Sequence, residues 1–133
     1  MQVTAIIAEW NPLHRGHLLP VQAARQQGAT HIVAILSGNF VQRGEPALCP
    51  WQYRAAAALS SGVDLVLLLP LPYAVSTAQH FAGGAVASLA ALGAVDSLIF
   101  GSECGELAAL RSVAAALDSP DLPAALAPHL QKG

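Results

Sequence analysis

Apolar and polar positions along this chain fall into two alternating kinds of block. Four short runs are almost wholly apolar: VTAIIAE at 3–9, HIVAILS at 31–37, DLVLLL at 64–69 and SLIF at 97–100. They are too short for helices and partly β-branched, so each reads as a buried strand. The segments between them have helical spacing. One spans 17–27 and stops at Gly28; a second spans 51–61 with Gly62 behind it. A third runs over 76–92 with Phe81, Ala85, Leu89 and Leu92 on one face and Gly93 after it. A fourth covers 105–117, with Leu107, Leu110, Ala114 and Leu117 in line. Pro20 suits a helix only in its first turn, which puts the first helix start near Gly16. PLPYAV at 70–75 reads as an irregular link. The tail after Asp118 carries Pro120, Pro123 and Pro128 and ends in a polar QKG.

A β-α rhythm repeated four times, with strands apolar throughout, predicts an α/β fold: a Rossmann-like, doubly wound parallel sheet with helices on both faces. At 133 residues the expectation is one domain over 1–133. Ligands of such sheets bind outside the carboxyl ends of the strands. Those ends carry Glu9-Trp10-Asn11, Ser37-Gly38-Asn39, 70–73 and Gly101-Ser102-Glu103. The opposite edge offers QQGAT, SSGVD and LGAVD, which look like ordinary turns.

Composition narrows the classes. Hydrophobic residues make up 54% and charged ones 11%, so most of the chain must be buried. The net charge of −2, with six scattered Lys and Arg, argues against a nucleic-acid surface of its own. MQVTAIIAEW has no basic leader, and the two most apolar stretches are short and broken by proline or glycine. No membrane contact and a cytoplasmic location are therefore expected. Cys49 and Cys104 form no CxxC pair and read as reduced thiols, and no structural zinc site assembles from them.

The chemistry gathers after the first strand. His14-Arg15-Gly16-His17 stands where strand hands over to helix. A helix start there offers unpaired N–H groups and a partial positive charge. Two imidazoles beside it can donate to phosphate oxygens and stabilise charge on a pentacoordinate phosphorus and a departing pyrophosphate. One such donor is typically worth about 3 kcal/mol. The plainer reading is a pair of histidines that cap a helix. The position after strand one, with Asn11-Pro12 before it, favours nucleotide binding. The spacing is not that of a zinc motif, and no metal ligand is assigned.

Other candidates cluster on the same edge. In SGNFVQRGEPA, at 37–47, Ser37, Asn39 and above all Arg43 are candidates for phosphate or substrate-carboxylate contacts. Arg54 is either such a contact or a solvated or salt-bridged helix residue. Glu9 would repel a triphosphate unless a magnesium ion intervened; otherwise it pairs with a cation or caps a turn. Tyr73, Ser76, Gln79 and His80 could line a pocket for a small substrate, while Phe81 and the small residues after it suit helix packing. His31 and His129 receive no role.

HxGH at the first βα corner resembles the adenylyl-transferring superfamily, with its HIGH-type nucleotidyltransferase fold. Four blocks together, IIAEWNPLHRGHL, SGNFVQRGEPA, GVDLVLLLPLPYAVSTAQHFAGGAV and FGSE, look like the bacterial tRNA(Met) cytidine acetate ligases. The resemblance implies an ATP-using ligase, with ATP and Mg2+ bound at the histidine corner. Acetate would attack the α-phosphate, giving acetyl-adenylate and pyrophosphate. Acetyl would then pass to N4 of the wobble cytidine of elongator tRNA(Met). The family's ATP loop falls on Ile7, Ala8, Glu9, Trp10, Asn11, Pro12, Leu13, His14, Arg15, Gly16, His17, Leu18, Leu19 and Pro20, and a further ATP contact on Gly101. Trp10 and Leu13 stand where the family more often has other residues. Family members are longer, and later segments carry an asparagine and an arginine for ATP, and tRNA surfaces. The expectation is thus a domain shorter than its family, lacking a C-terminal part. Two alternatives stay open: an adenylyltransferase with another small acceptor, or a truncated nucleotide-binding module without turnover, whose exposed apolar surface would favour self-association.

Overall fold

In the computed structural model, residues 1–130 are described, with side chains through 128; the terminal QKG and the His129 side chain lie outside them. The chain forms two compact units, 1–100 and 101–133.

The first unit begins with β1 (Val3–Ala8), a 3-10 turn at Arg15–His17 and α1 (Leu18–Gln26). Next come β2 (His31–Leu36), a second 3-10 turn at Gln42–Gly44, α2 (Trp51–Ser60) and β3 (Leu65–Leu68). Then follow α3 (Leu71–Ala74), α4 (Ala78–Leu92) and β4 (Ser97–Leu98). The four strands make one sheet in the order β3-β2-β1-β4, and every pairing is parallel. The chain thus builds outward from β1 on one side and returns to its other side with β4. That reversal places the end of β1 at a topological switch point, where open α/β sheets bind ligands.

Side chains alternate across the sheet with the period of two that a pleated strand imposes. Ile6, Ile32, Ala34 and Leu36 pack with Val21 and Ala24 of α1 and Ala55 and Ala58 of α2. Val3, Ala5, Val33 and Ile35 pack with Ala74, Ala85 and Leu89 of α3 and α4. The sheet is covered on both faces, as the apolar runs require. Pro20 lies in the first turn of α1, where no helical hydrogen bond needs its missing N–H. Phe81 joins the second core and Gly84 carries Tyr73: a Cβ there would stand 2.2 Å from the ring. Leu92, expected on the same face, is exposed.

Two proline-bearing segments differ from expectation. The link at 70–75 contains the helical turn α3, and the tail contains a helix. Pro72 sits within the first two positions of α3, where a proline breaks nothing. The second unit consists of α5 (Leu107–Leu117) and α6 (Leu122–Leu130), joined through Ser119, whose hydroxyl accepts from the Asp121 N–H at 3.3 Å. Pro123 is likewise near the start of α6, whereas Pro128 lies inside it.

The amino edge of the sheet is not a set of ordinary turns. The residue before each strand clips its neighbour. Thr30 Oγ1 accepts from the Gln2 N–H at 2.9 Å, Asp64 Oδ2 from Ile32 at 2.6 Å and Asp96 Oδ2 from Val3 at 2.7 Å. Arg25 closes the edge by donating to the Ala29, Thr30 and Gly62 carbonyls and to Asp64 at 2.6 Å.

Candidate active site

At the carboxyl edge, β1 ends at Ala8 and the chain turns through Trp10, whose φ is +45°, and a cis Asn11–Pro12 bond. The histidines follow. His14 is extended, and its Nδ1 accepts from the Gly16 N–H at 3.2 Å; the His14 N–H in turn donates to His17 Nδ1 at 3.3 Å. The rings stack with centroids 3.6 Å apart and planes 24° from parallel. This reciprocal cap satisfies helix-start amides that would otherwise lack partners.

The cap also fixes the tautomer. An Nδ1 that accepts a backbone N–H carries no proton, so each neutral ring holds its proton on Nε2. Two Nε2–H donors therefore remain unspent, on an exposed His14 and a half-buried His17. Burial, and then the neighbouring His14, hold the His17 imidazole below its usual range. Both effects favour the neutral form that the cap requires. Gly16 has a role beyond letting a ligand approach. A Cβ there would stand 3.1 Å from His14 Cε1 and 3.3 Å from Nδ1, so glycine makes room for the stacked ring.

The β1–α1 corner is stitched to the β2–α2 connection. Glu9 Oε1 accepts from the Gln42 N–H at 2.6 Å, and Asn11 Oδ1 from the Leu48 N–H at 2.7 Å. Of the alternatives for Glu9, the turn cap is the one observed. The connection itself closes into a small loop: Val41 N–H to Glu45 O at 2.9 Å, Gly44 N–H to Val41 O at 3.0 Å and Ala47 N–H to Asn39 O at 2.9 Å. Arg43 is at its tip with φ 69° and ψ 7°, a left-handed conformation that costs a residue with a side chain about 1–2 kcal/mol. Its guanidinium is exposed and has no hydrogen bond or ion pair among the described residues. Strained non-glycine residues gather at functional sites, and both of those described here, Trp10 and Arg43, are on this edge.

Arg54 has a role that none of the sequence alternatives describes. It is neither solvated nor an open contact: it is 1% exposed. Its guanidinium donates to the Glu9 carbonyl at 2.6 Å, the Ser37 hydroxyl at 3.4 Å, the Cys49 carbonyl at 3.2 Å and the Gly38 carbonyl. It ties the ends of β1 and β2 to the loop beyond. Burial lowers its pKa, and Cys49 and Glu9 oppose that shift. A helical arginine with no polar neighbour at helix spacing (YRAAAA) is the one faint signal of it in the sequence.

Other expected contacts are redistributed. Ser37, expected to meet substrate, is fully buried beside Arg54, which removes it from the surface. Trp10 is core, with Ile7, Ala8 and Leu13 packed partly against the two cores. Asn39 Oδ1 accepts from the Trp51 N–H at 3.2 Å, at the start of α2. The Ser76 hydroxyl donates to the Tyr73 carbonyl at 2.8 Å, and His80 Nδ1 bonds Thr77 Oγ1 at 3.0 Å. Gln79 is exposed, as are Pro12, Arg15 and Leu19; Leu18 and Pro20 are half-buried. Gly101 belongs to the second unit, as does Cys104, whose Sγ lies 3.2 Å from the Ser102 hydroxyl.

A doubly wound parallel sheet with an HxGH corner at its switch point defines a nucleotidyltransferase-type domain. The whole chain, residues 1–133, matches the family described as HIGH Nucleotidyl Transferase, and it belongs to that family. It is 47% identical to the tRNA(Met) cytidine acetate ligase of Caldanaerobacter subterraneus subsp. tengcongensis, over 100% of this chain and 34% of that protein. It is 55% identical to the protein of that name from Exiguobacterium sibiricum, over 80% of this chain and 28% of the relative. Among solved structures, Thermotoga maritima TmcAL bound with alpha-thio ATP superposes with a TM-score of 0.89 at 41% identity, covering 100% of this chain and 33% of that one. The chain spans about a third of the length of the relatives it matches. Among the described residues no helix is long and apolar enough to cross a membrane.

Proposed function

We propose that this chain carries the ATP-binding, acetate-activating site of a tRNA(Met) cytidine acetate ligase. The observation that carries the reading is the reciprocal histidine cap, which leaves one Nε2–H donor on each of two stacked rings. ATP would be held on the β1–α1 loop, 7–20. The histidines would donate to phosphate oxygens, strengthening as charge builds on the α-phosphorus and the leaving pyrophosphate. An acetate oxygen attacks the α-phosphorus, the bond to the bridging oxygen breaks, and pyrophosphate leaves with that electron pair. Cytidine N4 then attacks the acetyl carbonyl, the bond from that carbon to the phosphate oxygen breaks, AMP departs with the electron pair, and N4 gives up one proton to solvent. Arg43, whose guanidinium has no hydrogen bond or ion pair among the described residues, is suited to the triphosphate or the acetate carboxylate.

Magnesium fits this site only as a companion of the nucleotide. Glu9 is the carboxylate of the corner, and its Oε1 is already taken by the Gln42 N–H. Phosphates and water would hold the ion, as Mg2+ commonly is held. The relatives' name supports tRNA(Met) as the acceptor; the elongator species is the one proposed, in the cytoplasm, where ATP, acetate and tRNA meet. Exposed Val86, Leu98 and Phe100 support self-association.

Acetate-dependent exchange of labelled pyrophosphate into ATP tests the reading. The expected result is exchange by the parent that is lost in His14→Ala. ATP binding without exchange would favour the module without turnover. Exchange that depends on another acid, or on a phosphorylated acceptor, would favour a different adenylyltransferase.

A further inference from the structure

The Glu9 carboxylate joins two features that nothing else in the corner explains together. One is the partnerless Arg43, held left-handed at a loop tip. The other is a carboxylate placed next to the histidine corner, where it would oppose a polyphosphate. Glu9 Oε1 takes the Gln42 N–H, the amide immediately before Arg43. The Glu9 carbonyl, in turn, takes Arg54. One residue thus fixes the end of β1 and the base of the Arg43 turn at once. Backbone bonds close the loop on itself, but they do not fix its distance from the histidines. The Glu9 side chain does so at the Arg43 end of the loop, and Asn11 at its far end through the Leu48 N–H.

We propose that Glu9 is a positioning residue: it acts through Gln42 to hold Arg43 within reach of the anion bound at His14 and His17. This rests on the ATP reading above. A hydrogen bond to a carboxylate is stronger than one to a neutral acceptor, and its geometry is tighter. It is therefore suited to hold a strained turn that would otherwise relax. Glu9 itself then needs neither a metal nor a substrate contact.

The test is a double-mutant cycle on ATP binding by this chain, read by calorimetry with magnesium present, in Glu9→Ala, Arg43→Ala and the double variant. Arg43→Ala is expected to weaken binding about tenfold, the scale of one charge-assisted contact. Glu9→Ala should weaken it similarly, and the double variant should be no weaker than either single one. Glu9→Gln keeps an acceptor for the Gln42 N–H and should stay within about threefold of the parent. Multiplying effects in the double variant would mean Glu9 acts independently of Arg43 and would overturn the proposal. Loss in Glu9→Gln equal to that in Glu9→Ala would point to a metal-binding carboxylate and overturn it as well. If Arg43→Ala binds like the parent while His14→Ala does not, the Arg43 reading fails and the ATP site stands. A second measurement needs no ligand. Trypsin cleavage after Arg43 should be faster in Glu9→Ala than in the parent, with Glu9→Gln close to the parent; equal rates in all three would overturn the pinning of the turn.

Discussion

The two edges of the sheet are each knitted by one arginine, and the difference between them separates closure from function. Arg25, on the amino edge, makes four contacts, three to carbonyls and one to Asp64, with about a third of its side chain in water. Thr30, Asp64 and Asp96 take up the strand-start amides there. Every polar group of that edge named here is paired within the edge. Arg54, on the carboxyl edge, also makes four contacts, all to uncharged oxygens, and is buried beneath the surface. Above it the accounting is deliberately incomplete. Two imidazoles spend their Nδ1 atoms inward and keep Nε2–H, and Arg43 keeps its whole guanidinium. The amino edge is finished as a structure. The carboxyl edge is a rigid base carrying donors with no protein partner, which is what an anionic ligand requires.

The comparison breaks most sharply at Arg54. Arg54→Ala would leave three carbonyls and a hydroxyl without their donor in a buried place, and should lower unfolding free energy by about 3–5 kcal/mol. Urea denaturation measures it; a loss under about 1 kcal/mol would mean water replaces the guanidinium and the base is not rigid. Gly16→Ala should act on the ligand rather than the fold. Its Cβ would press on His14 and disturb the cap, weakening ATP binding about tenfold, or roughly 1.4 kcal/mol, with the denaturation midpoint little changed. Arg25→Ala, at an exposed bridge screened by solvent, should cost less than about 1 kcal/mol and leave ATP affinity untouched. An effect on affinity there would erase the distinction between the edges.

Acid should separate them in order, with the smallest effects. The His17 pKa is lowered in the fold, so the unfolded chain takes up its proton first as pH falls. Its contribution is present above the ordinary histidine range and lost below it. Asp64 is also lowered. Burial pushes it up, but the Ile32 N–H, Arg25 and the His31 charge outweigh that. Its contribution is present above the ordinary carboxylate range and lost as pH falls through it. Denaturation midpoints against pH should show a small step that begins in the ordinary histidine range, extends below it and is absent in His17→Ala, and a later one that Asp64→Asn removes.

Much of this was legible in the sequence, because the signals are local. Apolar runs gave the strands, glycines the helix ends, and HxGH after the first strand gave the corner. What was not legible depends on segments distant in sequence. Arg54 is defined by carbonyls from residues 9, 38 and 49, and no spacing rule connects them. Ser37 looked like a surface hydroxyl because the guanidinium that buries beside it comes from another element. Asp64 and Asp96 looked like turn residues because their partners are on neighbouring strands. The helices at 71–74 and 122–130 are hard to see in the sequence because each carries proline: Pro72 and Pro123 fall in first turns, where no hydrogen bond is lost, but Pro128 lies inside its helix.

Calorimetric titration of this chain with ATP and magnesium, beside the double variant His14→Ala/His17→Ala, tests the central claim most directly. The account predicts binding by the parent, weakened by about a hundredfold or more in a variant that remains folded, since two donors are lost and capping contributes only about 1 kcal/mol to stability. A folded parent that binds no ATP, or a double variant that binds as tightly as the parent, would contradict it.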